Sequence, residues 1–493
     1  MFCHDAANTG YSNCNISEKN KLLWSVKTDI MSSSCPAVLD GKIYVTTGAW
    51  GEGQIHCIDL ETGSFIWNYS VGDSIWGSPV VDENHLYVAP RKSRILCLNS
   101  STGTKIWETI IENASIYEES PALYEGKIYI GCTYIPSVEE YNSGVYCLDS
   151  LNGEILWFNA TISESYDYSP AVSNGKIYTV GINNSLCCLD AKNGHKIWKL
   201  TNFSFYSYPV IINDCIYVRT FQGTVLCIED GEVLWEYHPI PNYVVTTSIV
   251  GKDGNIFLGT GNSELSNPGR VVCVDEETGE EKWSYMTTGV RKYSGRLSLT
   301  KDYLFIMEEY CYDTSHQSSS ICSFDVKTGE RVWYYTISMD FDNYVYGGIA
   351  IADDKIIFSS VESDDDSGDV WGGVYCFNES DSNLPPCSPS TDYDRFNHLL
   401  SIISIDPEGD KIRYGISWDN DKTVDEWTVF CESGTYIYVV CNNRRGTFGV
   451  VAEDEYGAQS DWVSQKSKSN YMHIFMMKNF LIFWATLWQK MIR

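Results

Sequence analysis

The chain has 493 residues, 43% of them hydrophobic and 14% aromatic, and a formal net charge of −30 at pH 7. That length exceeds one ordinary domain, and 34 Tyr and 16 Trp favour strands over helices. A surface so acidic repels phosphate backbones, which excludes nucleic acid as a partner and leaves solubility or attraction of cations as its role.

The first residues, "MFCHDAANTGYSN", have neither a basic start nor an apolar run, so they do not read as a signal peptide. His4 and Asp5 within them are expected to be structural. The expectation for location is the cell surface or the exterior, with a leader missing from this sequence, or the cytoplasm if no leader lies upstream. Next comes "KLLWSVKT", a strand-like stretch carrying Trp24.

From there the chain repeats itself. "CIDLETGSFIW" (57–67) returns as "CLNSSTGTKIW" (97–107), "CLDSLNGEILW" (147–157), "CLDAKNGHKIW" (188–198) and "CVDEETGEEKW" (273–283). The closing residues are Trp67, Trp107, Trp157, Trp198, Trp235, Trp283 and Trp333, 37 to 50 residues apart. Before most of them stands a second signature, such as "SPVVDENHLYV" or "SPAVSNGKIYT". One unit reads as four short strands, A to D, with a tight C–D turn opened by Asp or Asn and closed by Gly. Asp149 and Gly153 are an example. Four strands at this period predict an all-β, eight-bladed β-propeller. The eighth unit (347–380) lacks a D strand and its Trp, and the Trp24 stretch supplies both. A ring closed this way has no open edge.

Each Trp is expected to dock a blade on its neighbour. The slot holding Cys57, Cys97, Cys147, Cys188, Cys227, Cys273 and Cys376, and once Ser323, asks for a small side chain in tight packing. Slots in different blades lie too far apart to pair. Cys187 is read as the strand neighbour of Cys188 and not as its disulfide partner.

These units resemble the quinoprotein-type propeller repeat, the tryptophan-docking motif of PQQ-repeat proteins, over about residues 1–380. The opening segment resembles the one that begins many such propellers. The resemblance implies the fold; among its members are PQQ-dependent dehydrogenases and non-catalytic lipoprotein scaffolds of outer-membrane assembly. The dehydrogenases' catalytic Asp and calcium ligands find no counterpart here. The eight His are scattered, and no Ser/His/Asp set or Gly-rich phosphate loop is present.

In four-stranded units the B–C loops and D–A connections share one face. Several B–C loops are long, among them "CTYIPSVEEYNSG" and "SVESDDDSGDVWGG". Trp76, Tyr117, Tyr166, Tyr206, Tyr243, Tyr293 and Tyr346 precede the A strands and should crowd the channel mouth on that face. Such aromatics stack a sugar or a flat cofactor, which makes this the expected ligand-binding face. Asn-x-Ser/Thr sites at Asn68, Asn113, Asn159 and Asn202 agree with surface exposure.

Residues 381–399 read as a linker and 400–466 as a small β-sandwich, which resembles the PKD/Ig-like modules appended to archaeal surface propellers. Within it Asp419, Asp421, Asp425 and Glu426 alternate as oxygen ligands for calcium do, although Val424 stands where an EF-hand has Gly. The tail, 467–493, contains "FLIFWATLW", too short to span a bilayer, and reads as an amphipathic helix docking on a membrane surface or a partner. The expected function is a non-catalytic surface scaffold that recognises a protein or glycan through the loop-rich face. The alternative is a PQQ- and calcium-dependent alcohol or sugar dehydrogenase.

Overall fold

A computed structural model describes residues 5–17, 20–28, 34–49, 51–91, 94–112, 114–116, 120–132, 144–160, 169–181, 185–240, 243–245, 247–262, 269–286, 291–311, 317–338, 347–363, 370–379, 386–394, 399–406, 410–441, 447–455 and 457–466. All its regular elements there are strands. The chain divides into two compact units, 1–384 with 406–410 and 385–405 with 411–493.

The first unit contains eight successive antiparallel sheets among the described residues. Sheet 1 shows the plan with Ala37–Leu39, Lys42–Ala49, Glu52–Asp59 and Phe65–Ser70, paired in chain order. Its A–B turn is two residues, Asp40 and Gly41, at φ +50° and +68°. That pair of positive φ values is the hairpin turn whose twist matches the strands. Sheets 2 to 5 end at the outer strands Lys105–Ile110, Ile155–Asn159, Lys196–Leu200 and Glu232–Tyr237. Sheets 6 and 7 end at Glu281–Met286 and Arg331–Ser338. Sheet 8 takes its outer strand from the start of the chain: Asn20–Thr28 pairs with Val370–Glu379, setting Trp24 opposite Cys376. The innermost strand of sheet 8, Ile349–Ala352, meets both that of sheet 7 and Ala37–Leu39 of sheet 1.

Apolar residues fill each gap between neighbours. Tyr44, Ile55 and Cys57 of sheet 1 pack with Leu86, Val88 and Leu98 of sheet 2, and the last gap joins Ile357 and Cys376 to Ile43 and Val45. Burial of each such aliphatic is worth about 1.5–3 kcal/mol.

Residues 5–12 run across the innermost strands. The Asp5 carboxylate accepts from the Ala7 and Thr9 amides, both at 3.0 Å, which turns the chain. Val172 N–H donates to Ala6 O at 2.6 Å, Ile211 N–H to Ala7 O at 2.9 Å, and Leu299 N–H to Gly10 O at 2.8 Å. Sheets 4, 5 and 7 are thereby tied to one segment. Gly10 sits at φ +64°, and a Cβ there would lie 2.6 Å from Val250. Asp5 thus does structural work; His4 lies outside the described residues.

The second unit has a three-stranded sheet, Ser390–Asp394, Leu399–Ile403 and Ile437–Val440, and a four-stranded one, Glu426–Trp427, Ile412–Ser417, Thr447–Asp454 and Val463–Lys466. Leu400 and Ile402 of the first share a core with Tyr414, Ile416, Phe448 and Val450 of the second. Ser390–Asp394 was expected as linker and is a strand. Its Tyr393 packs on Phe448, ring centroids 5.6 Å apart, so one inward aromatic outweighs the polar composition. The tail 467–493 lies outside the described residues. No helix among them is long and apolar enough to cross a membrane.

Candidate functional site

The repeated Cys and Trp belong to one cross-strand row. In sheet 2, Tyr87 faces Cys97, which faces Trp107. Sheets 1, 3, 4 and 5 repeat the row as Tyr44–Cys57–Trp67, Tyr129–Cys147–Trp157, Tyr178–Cys188–Trp198 and Tyr217–Cys227–Trp235. The two rings reach each other past the small thiol at 5.8–6.1 Å. A larger residue between them would push them apart. Burial drives the Cys57, Cys97, Cys227, Cys273 and Cys376 thiols up to about 12. They are packing atoms and not nucleophiles.

Each indole then lies on the C–D turn of the next sheet. A Cβ on Gly153 would come 2.5 Å from Trp107, and one on Gly194 2.5 Å from Trp157. The indole N–H donates to the carbonyl of the residue after the turn's Asp or Asn. Trp24 reaches Leu60 O at 3.0 Å, Trp67 Ser100 O at 3.0 Å, Trp107 Ser150 O at 3.1 Å, Trp235 Glu276 O at 2.9 Å and Trp283 Val326 O at 3.1 Å. Trp333 donates to Asn20 O at 3.0 Å. Trp198 alone among these indoles has a buried N–H without an acceptor. The turn it faces is the two-residue hairpin Asp230–Gly231; Asp230 holds the acceptor position but sits at φ +48°, and its carbonyl does not receive the indole N–H.

A chain of hydrogen bonds links the starts of the A strands of sheets 1 to 4. Cys35 N–H donates to Ser78 Oγ at 2.9 Å, Ser78 N–H to Ser120 Oγ at 2.8 Å, and Ser120 N–H to Ser169 Oγ at 2.9 Å. The recurring "SP" dipeptide therefore carries an inter-sheet hydrogen bond. From sheet 7, Arg296 Nη1 donates to Ser78 Oγ of sheet 2 at 2.9 Å. A cavity of about 100 Å³ is lined by Cys35, Ala37 and Ile349 and by Gly10 and Ser12 of the opening segment.

On the face of the B–C loops, strands Tyr303–Cys311, Gln317–Asp325, Lys355–Ser363 and Val370–Glu379 make sheets 7 and 8 tall. Sheet 5 is low, because its B–C connection is the short turn 220–224. Of the expected mouth aromatics, Trp76 is half-buried and Tyr243 half-buried on the short strand Tyr243–Val245. Tyr206 is exposed at 43%. Tyr293 falls on the strand Arg291–Leu299, its side chain outside the described set; Tyr117, Tyr166 and Tyr346 lie outside the described residues. The face thus brings Tyr206 together with a residue the sequence did not single out, Phe221, 5.3 Å away with the rings at 88°.

The acidic loop of the second unit folds on itself. Ser417 Oγ donates to Asp419 and Asp421 at 3.3 and 3.1 Å, while Asp425 accepts from Trp418 N–H at 2.7 Å. The Asp421 carboxyl is held below its usual range, first by Thr423 and also by Ser417. Glu426 starts a strand opposite Ile416. Among the described residues no three His, Cys, Asp or Glu side chains converge as metal ligands. Cys187 and Cys188 are both buried and both free thiols. As strand neighbours they enter different cores, Cys187 towards sheet 3 and Cys188 towards sheet 5.

A family model described as outer membrane protein assembly factor BamB matches residues 15–164 and 141–383, and the chain belongs to that family of PQQ-like repeats. It is 25% identical over 215 residues to a tetrathionate hydrolase of Acidithiobacillus ferrooxidans, covering 37% of this chain and 40% of that protein. It is 20% identical over 266 residues to BamB of Yersinia pestis, covering 47% and 62%. Both relatives are therefore matched over less than two thirds of their own length. The quinohemoprotein alcohol dehydrogenase of Comamonas testosteroni superposes with a TM-score of 0.59 at 14% identity, over 81% of this chain and 83% of that one. The likeness is one of propeller fold.

Proposed function

We propose that the eight sheets are the blades of a propeller joined to an Ig-like module, and that the protein is a non-catalytic scaffold of the cell envelope or surface. It would bind a protein or glycan partner on its loop-rich face. The observation that carries this reading is the state of the channel. Arg296 reaches from sheet 7 to Ser78 of sheet 2, residues 5–12 cross the inner strands, and the cavity between that segment and the inner strands of sheets 1, 7 and 8 holds about 100 Å³. Pockets for cofactor-sized ligands measure about 300–1,000 Å³. Membership of the BamB family supports a protein-binding role, since its namesake is an outer-membrane assembly factor.

The test is a titration with PQQ and calcium, followed by thermal shift and dye reduction with alcohols and sugars. We expect neither stabilisation nor reduction. Saturable binding with substrate oxidation would replace the scaffold by a dehydrogenase.

A further inference from the structure

In the second unit the strand Ile437–Val440 is apolar on both faces. Ile437 and Val439 point into the core with Leu400, Ile402 and Phe448. Tyr438 and Val440 point outwards, 57% and 58% exposed, and Leu399 stands opposite Val440 on that outer side. Tyr436 lies stacked with Tyr438, ring centroids 6.4 Å apart at 22°, so the apolar row runs on beyond the strand. A strand with one wet face alternates apolar and polar residues, whereas "YIYVV" suits burial on both. The four-stranded sheet keeps the alternation: its outward Arg413 pairs with Glu453. Among the described residues the sheet order of the three-stranded sheet ends at Ile437–Val440, and its outer face is open. Such a face calls for an occupant.

The same chain supplies one. Residues 467–493 are apolar and basic in sequence: they hold "YMHIFMMKNFLIFWATLW" (471–488), with Lys468, Lys478, Lys490 and Arg493 and no Asp or Glu. Residues 385–466 carry 14 Asp and Glu against seven Lys and Arg, so their field attracts that tail. A second copy of the chain, at net charge −30, is repelled. Position agrees with charge. Lys466 ends the last strand, and beside it Thr391 Oγ1 donates to the Gln465 side chain at 3.1 Å. Thr391 is in register with Ile402, and Ile402 with Ile437. The tail thus starts two strand spacings, about 10 Å, from the strand that carries the open row. Residues 467–470, "SKSN", reach about 13 Å when extended. An apolar segment tethered so closely has a high effective concentration, which a separate partner must exceed. We propose that residues 471–488 dock on the outer face of the three-stranded sheet, over Tyr436, Tyr438 and Val440. This contact is independent of the scaffold reading.

Hydroxyl-radical footprinting of the full chain and of a chain ending at Lys466 reads the face directly. Tyr438 is the probe, and Tyr206, exposed in the first unit, is the reference. We expect Tyr438 to be labelled about tenfold more slowly in the full chain, as for a tail docked about nine-tenths of the time, with Tyr206 unchanged. In the full chain, Tyr438→Lys combined with Val440→Lys should free the tail, so that trypsin cuts after Lys478 several-fold faster. Both side chains are exposed, circular dichroism checks that the variant folds, and it keeps the test open if the shortened chain does not. Equal labelling of Tyr438 in the two chains overturns the proposal and leaves the tail to a lipid surface or another protein. Protection that fades on dilution also overturns it and gives the face to a second copy. Unchanged cleavage after Lys478 in the lysine variant overturns it as well. None of these failures touches the scaffold reading, which the PQQ titration tests separately.

Discussion

The seam between sheets 2 and 3 and the seam between sheets 4 and 5 use the same side chains to different effect. In the first, Trp107 lies on Gly153 and its N–H finds Ser150 O at 3.1 Å. In the second, Trp198 lies on Gly231, tilted 48° to its tyrosine against 41° for Trp107, and its buried N–H finds nothing. The cause is on the far side of the seam. The turn at 149–154 is an Asp-capped loop in which Gly153 N–H returns to Asp149 O at 2.9 Å, leaving the next carbonyl pointing outwards. The matching turn at 229–232 is two residues shorter, and Asp230, at φ +48° in the acceptor position, does not present its carbonyl to the indole. A docking seam therefore depends on the loop that receives the tryptophan as much as on the tryptophan. An unpaired buried donor costs about 1–3 kcal/mol, so the seam between sheets 4 and 5 should be the weakest point of the ring.

The largest perturbation is at the seam closed by a strand from elsewhere in the chain. Deleting residues 1–28 removes the outer strand of sheet 8, Trp24, and the segment tying sheets 4, 5 and 7. We expect loss of cooperative unfolding in urea and aggregation; a sharp transition near that of the full chain would show that the ring holds without it. Next in size are the indoles. Trp107→Ala should cost about 3–5 kcal/mol, as large-to-small aromatic truncations do. Trp198→Ala should cost about 1 kcal/mol less, because it breaks no hydrogen bond and removes an unsatisfied donor. Equal shifts in denaturation midpoint would mean that the missing acceptor has no energetic consequence.

Much of this was legible in the sequence, and the gaps have physical causes. The Trp, Gly and small-residue slots repeat, so their roles could be read from spacing. The defect facing Trp198 was also written there: "CIEDGEVLW" is two residues shorter than "CIDLETGSFIW". It is visible only once the carbonyl's role is known. The serines that link the A strands recur as "SP", but nothing in a dipeptide says that its hydroxyl accepts a neighbour's amide. Residues 5–12 have no period, since a segment that crosses strands is not itself a strand. Tyr206 was singled out because it precedes an A strand. Phe221 was not, because an aromatic in a five-residue turn looks like any other turn residue until its exposure is measured.

The thiol slot gives a smaller and pH-dependent effect. The Cys97 thiol is pushed up to about 12, chiefly by burial and then by the Asp82 carboxylate. An unfolded cysteine titrates near 8.5. The folded state thus keeps a proton that the unfolded state releases, so the contribution is whole below about pH 8.5 and drains away as pH rises toward 12. Between pH 9 and 10 the chain should lose about 1.2 kcal/mol through this thiol. Cys97→Ala should flatten the alkaline fall of the urea midpoint by that amount. An unchanged slope would mean that the slot is open to hydroxide and that the row is looser than its rings suggest.

The smallest change tests the comparison most directly. Replacing residues 229–231 by the sequence of 275–279 gives sheet 5 the loop that receives Trp235 in the next seam, with its carbonyl at 2.9 Å from that indole. If the missing acceptor is the defect, the graft should stabilise the chain by about 1 kcal/mol, the net value of one hydrogen bond. It should also make Trp198→Ala as costly in the grafted chain as Trp107→Ala is in the natural one. The gain should vanish when the graft and Trp198→Phe are combined, because phenylalanine keeps the ring and has no N–H to donate. A gain that survives in the double variant would come from the loop itself, for instance from its Asp-capped turn. The seam would then be limited by how the turn closes and not by what it offers its neighbour.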